Sequence, residues 1–149
     1  VIDEKIKLIE KARESGDVDQ VGWENMALMA VGSVYGIDIK KDNCDETRER
    51  ILNVVLSYYK NAYADSLEGR LSSFTSALEY ILDKNVVHGD GLTGMKNDGS
   101  SIILSDWELI SREEVIRKDY EMNKMMEHNK EDLKPSKIII YTYGSVFSS

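Results

Sequence analysis

The chain has 149 residues, of which 42% are hydrophobic and 31% are charged. This composition is typical of a folded domain and argues against a disordered tail, a collagen or a membrane protein. Its 27 acidic and 19 basic residues give a net charge of −8, which disfavours binding to the phosphate backbone of nucleic acids. The longest strongly apolar run, residues 26–34, is too short to cross a bilayer, so no membrane partner is expected.

Four helices are expected in residues 1–84. Apolar residues recur there at intervals of three and four among charged residues, which is the spacing of an amphipathic helix. Residues 26–34 are apolar nearly all round, which favours a buried central helix in which Gly32 allows a neighbour to approach closely. The expected helices span residues 2–14, 17–35, 45–62 and 66–83.

The pattern changes after Lys84, because four glycines between residues 89 and 99 interrupt any helical period. Asn97-Asp98-Gly99 predicts a β-hairpin that joins a strand at residues 93–96 to a longer one at residues 101–110. Ser111 and Glu114 have the spacing of a capping box, which predicts a polar helix reaching residue 133. Residues 137–143 read as a last strand, because they are rich in isoleucine and tyrosine.

We therefore expect an α+β fold that is mostly helical and forms a single domain over residues 1–149. Its helical part, residues 1–84, is predicted to be an amino-terminal four-helix bundle. Its α/β part, residues 85–149, is predicted to hold the hairpin, the polar helix and the last strand, with the strands forming a small antiparallel sheet. The only cysteine, Cys44, cannot form an internal disulfide, which favours a cytoplasmic location.

Two short motifs in the back half carry the residue types of a catalytic site. Val86-Val87-His88-Gly89-Asp90 is followed, sixteen residues after Asp90, by Asp106-Trp107-Glu108. The pair resembles the catalytic and metal-binding loops of the aminoglycoside phosphotransferase and choline kinase group. The resemblance implies that the motif of His88 and Asp90 supplies the base, that Asp90 orients the attacking hydroxyl, and that Asp106 binds magnesium. Met95 stands where that family has the asparagine that also binds magnesium.

The same residues permit a metal site without that resemblance. His88, Asp90, Asp106 and Glu108 offer nitrogen and oxygen ligands for a divalent cation, if a hairpin brings the two pairs together. In the alternative interpretation, Asp106 and Glu108 alternate along a strand and share a face that points to water.

Two further features point to binding of another protein. Met122, Met125 and Met126 lie close together, and methionine side chains adapt to varied partners. Residues 97–133 carry ten acids against five bases, which suits a basic or helical partner. Tyr141 and Tyr143 lie on the last strand, which could pair with a second copy if it forms a sheet edge.

The sequence thus predicts a non-catalytic regulatory or protein-interaction domain that needs no cofactor. Its partner would be a basic or helical protein, or a second copy in a homodimer. A composition rich in Asn, Asp, Ile, Lys and Tyr fits an AT-rich genome, such as that of a phage, a virus or a low-GC bacterium. A viral protein would act in the host cytoplasm. The alternative is a magnesium-dependent phosphoryl-transfer enzyme that uses Asp90 and Asp106.

Overall fold

A computed structural model describes residues 1–112, 114–127 and 133–142. It confirms the α+β class, with helices in the front half and a small antiparallel sheet in the back half. The elements in these residues are α1 (Ile2–Glu14), α2 (Gln20–Gly32), β1 (Gly36–Asp38), α3 (Lys41–Ala62), α4 (Leu71–Asn85), β2 (Val86–His88), β3 (Ile103–Leu109), β4 (Glu114–Glu121), α5 (Met122–Glu127) and β5 (Lys137–Thr142).

The first four helices enclose an aromatic core. The rings of Trp23 and Phe74 meet edge to face with centroids 6.1 Å apart, and the ring of Tyr59 lies 4.5 Å from that of Phe74. All three side chains are buried. A self-contained four-helix bundle is not confirmed, because α2 and α4 also pack against β3 of the sheet.

A short parallel pair of strands, β1 and β2, lies beside α3. The sequence did not predict it, because a three-residue strand is too short to show a period. The buried side chain of Asn85 joins this region to the sheet: its Nδ2 donates to the carbonyl of Gly32 at 2.8 Å, and its Oδ1 accepts from Nε1 of Trp107 at 2.9 Å. The close approach predicted at Gly32 is confirmed, since a Cβ there would lie 3.1 Å from the indole of Trp107.

The polar helix predicted from residue 111 to residue 133 is much shorter than expected. Glu114–Glu121 form β4, the central strand of the sheet, and the described helix is limited to Met122–Glu127. Val115, Arg117 and Asp119 are buried on alternate positions of β4. The two charged residues on the buried face conceal the alternation of apolar and polar residues that normally marks a strand.

The predicted hairpin is also displaced along the chain. Residues 97–99 do form a turn, with Gly99 at a φ of +85° and the amide of Lys96 donating to the carbonyl of Ser100 at 2.8 Å. Residues 93–96 form no strand, and Met95 makes only isolated bridges, to Asp90 and Ser101. The strands of the actual hairpin are β3 and β4, and β5 then pairs antiparallel with β4.

Candidate functional site

The three-stranded sheet has two faces of different chemistry. Side chains alternate along each strand, and the register aligns them in rows across the sheet. The inner face packs on α2 and α4, and the outer face carries exposed side chains. We call Ile116, Ile138 and Ile140 on the outer side the isoleucine face.

A buried charged pair, Arg117 and Asp119, occupies the inner face. Nε of Arg117 lies 3.0 Å from Oδ1 of Asp119, and Nη2 of Arg117 donates to Oδ2 at 3.2 Å. Nη1 of Arg117 donates to the hydroxyls of Tyr80 at 2.7 Å and Tyr141 at 2.6 Å. Ser105 donates its hydroxyl to Asp119 at 2.7 Å. Both charges are therefore neutralised inside the protein, as buried charges require.

Tyr141, which the sequence suggested as a partner-binding residue, belongs to this buried network. The guanidinium carbon of Arg117 lies 5.6 Å from the centroid of the Tyr141 ring. Burial of the Tyr141 hydroxyl, together with its hydrogen bond to Tyr80, raises the pKa of Tyr141 to about 12. Its side chain is buried and points away from the surface that a partner would contact. Tyr143 lies outside the described residues.

The isoleucine face is apolar where a half-buried sheet is normally polar. The side chains of Ile138 and Ile140 are 55% and 59% exposed, and Ile116 beside them is partly exposed. Ile116 lies opposite Ile140 in the register, and Lys118 lies opposite Ile138. Asp106 continues the second row on β3. Three isoleucines thus form one patch next to charged neighbours.

The isoleucine face adjoins a sheet edge. The sheet order is β3-β4-β5, and no other described strand pairs with β5. The edge at β3 is partly covered, because the hydroxyl of Tyr35 donates to the carbonyl of Ser105 at 2.6 Å. Within β5 the only charged side chain is that of Lys137, at its first position. Natural edge strands usually carry charges or bulges that prevent pairing, and β5 has few of these.

The backbone of β5 directs specific groups to this edge. The amide of Ile110 donates to the carbonyl of Glu114. The backbone N–H and C=O groups of the even-numbered residues of β4 therefore point toward β3, and those of the odd-numbered residues point toward β5. Odd-numbered residues of β4 lie opposite odd-numbered residues of β5, such as Ile139. The N–H and C=O groups of Ile138 and Ile140 therefore point away from β4.

The residues suggested for catalysis or metal binding are held in separate local structures. Oδ1 of Asp90 accepts from the amide of Leu92 at 2.9 Å, which is a turn contact, and Nε2 of His88 lies 2.8 Å from the carbonyl of Ile39. Asp106 and Glu108 are exposed together on the outer side of β3. Among the described residues, no group of three or more His, Cys, Asp or Glu side chains could hold a metal ion.

Asp38 is a polar residue of this region that the sequence analysis missed. Its carboxylate accepts from the amide of Lys40 at 2.8 Å and from Nδ2 of Asn43 at 3.1 Å, and these two hydrogen bonds lower its pKa. It lies opposite His88 in the parallel pair. No local pattern could have indicated this, because the two residues meet only when β1 pairs with β2.

Comparison of the chain with family models, curated proteins and solved structures found no match. No helix of the described residues is long and apolar enough to cross a membrane.

The predicted methionine cluster lies on α5, at the carboxyl end of β4. Met125 and Met126 are exposed, whereas Met122 is partly buried and its amide donates to the carbonyl of Ile102 at 2.8 Å. Asn123 connects α5 to the segment before β3, because its Oδ1 accepts a hydrogen bond from the hydroxyl of Ser101 at 2.8 Å. The described part of this helix has six residues, Met122–Glu127.

Proposed function

We propose that this protein is a non-catalytic interaction domain that binds a protein partner through the isoleucine face and the adjoining edge of β5. The observation that carries the proposal is the exposure of Ile138 and Ile140 on a regular strand that also holds the buried Tyr141. Single exposed apolar side chains are ordinary on protein surfaces. A contiguous apolar patch beside an edge strand is typical of a surface that another chain covers.

The geometry favours a partner that adds a strand to the sheet. The outward N–H and C=O groups of Ile138 and Ile140 can bond an extended segment, while the isoleucine face receives its alternate side chains. Asp106 and Glu108 lie on the same outer side of the sheet and would favour basic residues where the partner extends toward β3. Met125 and Met126 supply a second exposed apolar surface.

Affinity capture from the source organism tests this proposal when wild type is compared with Ile138→Lys and Ile140→Lys. Each change places a charge in the patch, so we expect proteins retained by wild type to be lost from both variants. Leu8→Lys is the matched control, because Leu8 is 65% exposed on α1, in the helical half of the chain. Equal recovery by all four proteins would contradict the proposal.

Magnesium-dependent phosphoryl transfer through Asp90 and Asp106 is the competing hypothesis from the sequence. A titration with Mg²⁺, with and without ATP, followed by thermal unfolding, separates it from the interaction function. A binding domain of the proposed kind should show no rise in Tm. A rise in wild type that is lost in Asp90→Ala and in Asp106→Ala would favour the enzyme.

A further inference from the structure

We infer that the partner at the edge of β5 is a second copy of this chain, whose β5 pairs antiparallel about a twofold axis at Ile139. This inference rests on the proposed function and specifies its partner. The three strands of each copy would join into one continuous sheet across the axis. Such pairing is isologous, so the same surface serves both copies and no second binding sequence is needed.

The direction of the backbone groups restricts how two β5 strands can meet. In an antiparallel pair, two opposite residues exchange two hydrogen bonds only where the N–H and C=O groups of both residues point toward the partner strand. In β5 the groups that point away from β4 belong to Ile138 and Ile140. A twofold axis at Ile139 places Ile138 of one copy opposite Ile140 of the other, so the outward groups meet on both sides of the axis.

The side chains of the two copies match in this arrangement. The isoleucine faces become continuous, because Ile138 and Ile140 of each copy become cross-strand neighbours, and apolar cross-strand pairs stabilise a sheet. The acidic residues of β3 stay at the two outer ends, far from the axis. Each row across the joined sheet would run Asp106, Lys118 and Ile138 of one copy, then Ile140, Ile116 and Glu108 of the other.

The charge on β5 disfavours one alternative register, with the axis at Lys137. Lys137, the only charged residue of the strand, would lie opposite Tyr141 of the second copy. A register that moved the axis to Lys137 would place two ammonium groups opposite each other, and like charges at such positions are destabilising. The other residues of β5 are uncharged, so they neither repel the same strand of a second copy nor favour a strand of opposite charge.

The long-range electrostatics predict how salt should act on this association. Each copy carries a net charge of −8, so two copies repel each other at a distance. Salt screens this repulsion without weakening apolar contacts. We therefore expect the dimer to tighten as salt increases from 50 to 500 mM (roughly 14 to 4 Å in Debye length). Binding to a basic partner would weaken over the same range.

Sedimentation equilibrium of the full chain over a range of concentrations measures the association. We expect a reversible dimer for wild type and for Leu8→Lys, and at least about a tenfold rise in Kd for Ile138→Pro, which removes an outward donor in both copies. Proline is tolerated at this position because its N–H faces away from β4. Ile138→Lys provides a second test in which the backbone donor is kept.

Disulfide trapping tests the register. In a Cys44→Ala background, Ile138→Cys and Ile140→Cys are purified separately, mixed and oxidised. Opposite residues lie about 5.5 Å apart between Cα atoms, within reach of a disulfide, so the mixture should yield a covalent heterodimer. Each variant alone should cross-link poorly, because identical positions lie on a diagonal about 7–8 Å apart. Rapid cross-linking of one variant alone would overturn the register.

The two proposals fail in different ways. A chain that is monomeric at every concentration and salt would overturn the dimer, yet the interaction function would stand if Ile138→Lys still abolished capture of another protein. If Ile138→Lys changed neither self-association nor capture, both proposals would be wrong. A dimer that persists unchanged in Ile138→Pro and Ile138→Lys would place the interface elsewhere and would also overturn the inference.

Discussion

The inner and outer faces of the sheet each hold residues that depart from the usual distribution. The inner face buries Arg117 and Asp119, whereas the outer face exposes Ile138 and Ile140. In a sheet with one solvated face, apolar side chains are normally inside and charged ones outside. The inner charges are stable because each has partners within hydrogen-bond distance. In the part of the chain that the structure describes, nothing covers the outer isoleucines, which is why we propose that they bind a partner.

The largest expected effect is on the inner face. Arg117→Ala should lower the free energy of unfolding by about 3–5 kcal/mol, because it leaves the buried carboxylate of Asp119 without its cation. Urea denaturation followed by circular dichroism measures this loss.

A double variant is the control for that prediction. Arg117→Met combined with Asp119→Leu removes both charges, so it should cost less than Arg117→Ala alone. A loss below about 1 kcal/mol in Arg117→Ala, typical of an exposed pair, would show that water reaches the pair and would contradict its burial on the inner face.

A smaller effect is expected at the inner hydroxyl of Tyr141. Tyr141→Phe removes the acceptor of a hydrogen bond from Arg117 and should cost about 1–3 kcal/mol at neutral pH. Tyr80→Phe is the matched comparison, because its hydroxyl accepts from the same nitrogen of Arg117. Thermal or urea unfolding of the two variants measures both losses, and no loss in either would contradict the network.

The raised pKa of Tyr141 predicts a pH dependence of the same network. Burial raises the pKa from 10.0 to about 12, so the unfolded chain loses this proton before the folded protein does. The contribution of Tyr141 to stability is therefore constant below pH 10 and is lost between pH 10 and about 12. Tyr59 behaves in the same direction in the helical part. Urea unfolding at pH 9 to 12 should give a shallower fall in Tyr141→Phe than in wild type.

The smallest effect is expected on the outer face. Ile140→Thr should change the free energy of unfolding by no more than about 0.5 kcal/mol, because its side chain is mostly in water. Ile139→Thr is a control one position earlier on the same strand, where the side chain packs against the core, and it should cost about 1–3 kcal/mol. Urea unfolding at a concentration where the chain is monomeric measures both, and equal losses would contradict the assigned faces.

Much of the secondary structure could be predicted from local spacing. The first helix has the expected bounds, and the last strand was expected within one residue of its end. In both, an uninterrupted pattern spans the whole element. The predicted partner-binding residues Met125 and Met126 are exposed, but Tyr141 is not. The alternation of β4 was hidden, because Arg117 and Asp119 occupy buried positions that a sequence pattern assigns to apolar residues.

By itself, the sequence determined that the front half is helical, that residues 137–142 form a strand, and that the chain carries excess negative charge. Only the tertiary structure decided which side of that strand faces water. Ile138, Ile139 and Ile140 are equally apolar, so the period of the strand cannot tell its two faces apart. The faces are set by the register with β4, which places Tyr141 beside the buried Val115 on the side that faces α4, where the hydroxyls of Tyr80 and Tyr141 lie 2.7 Å apart.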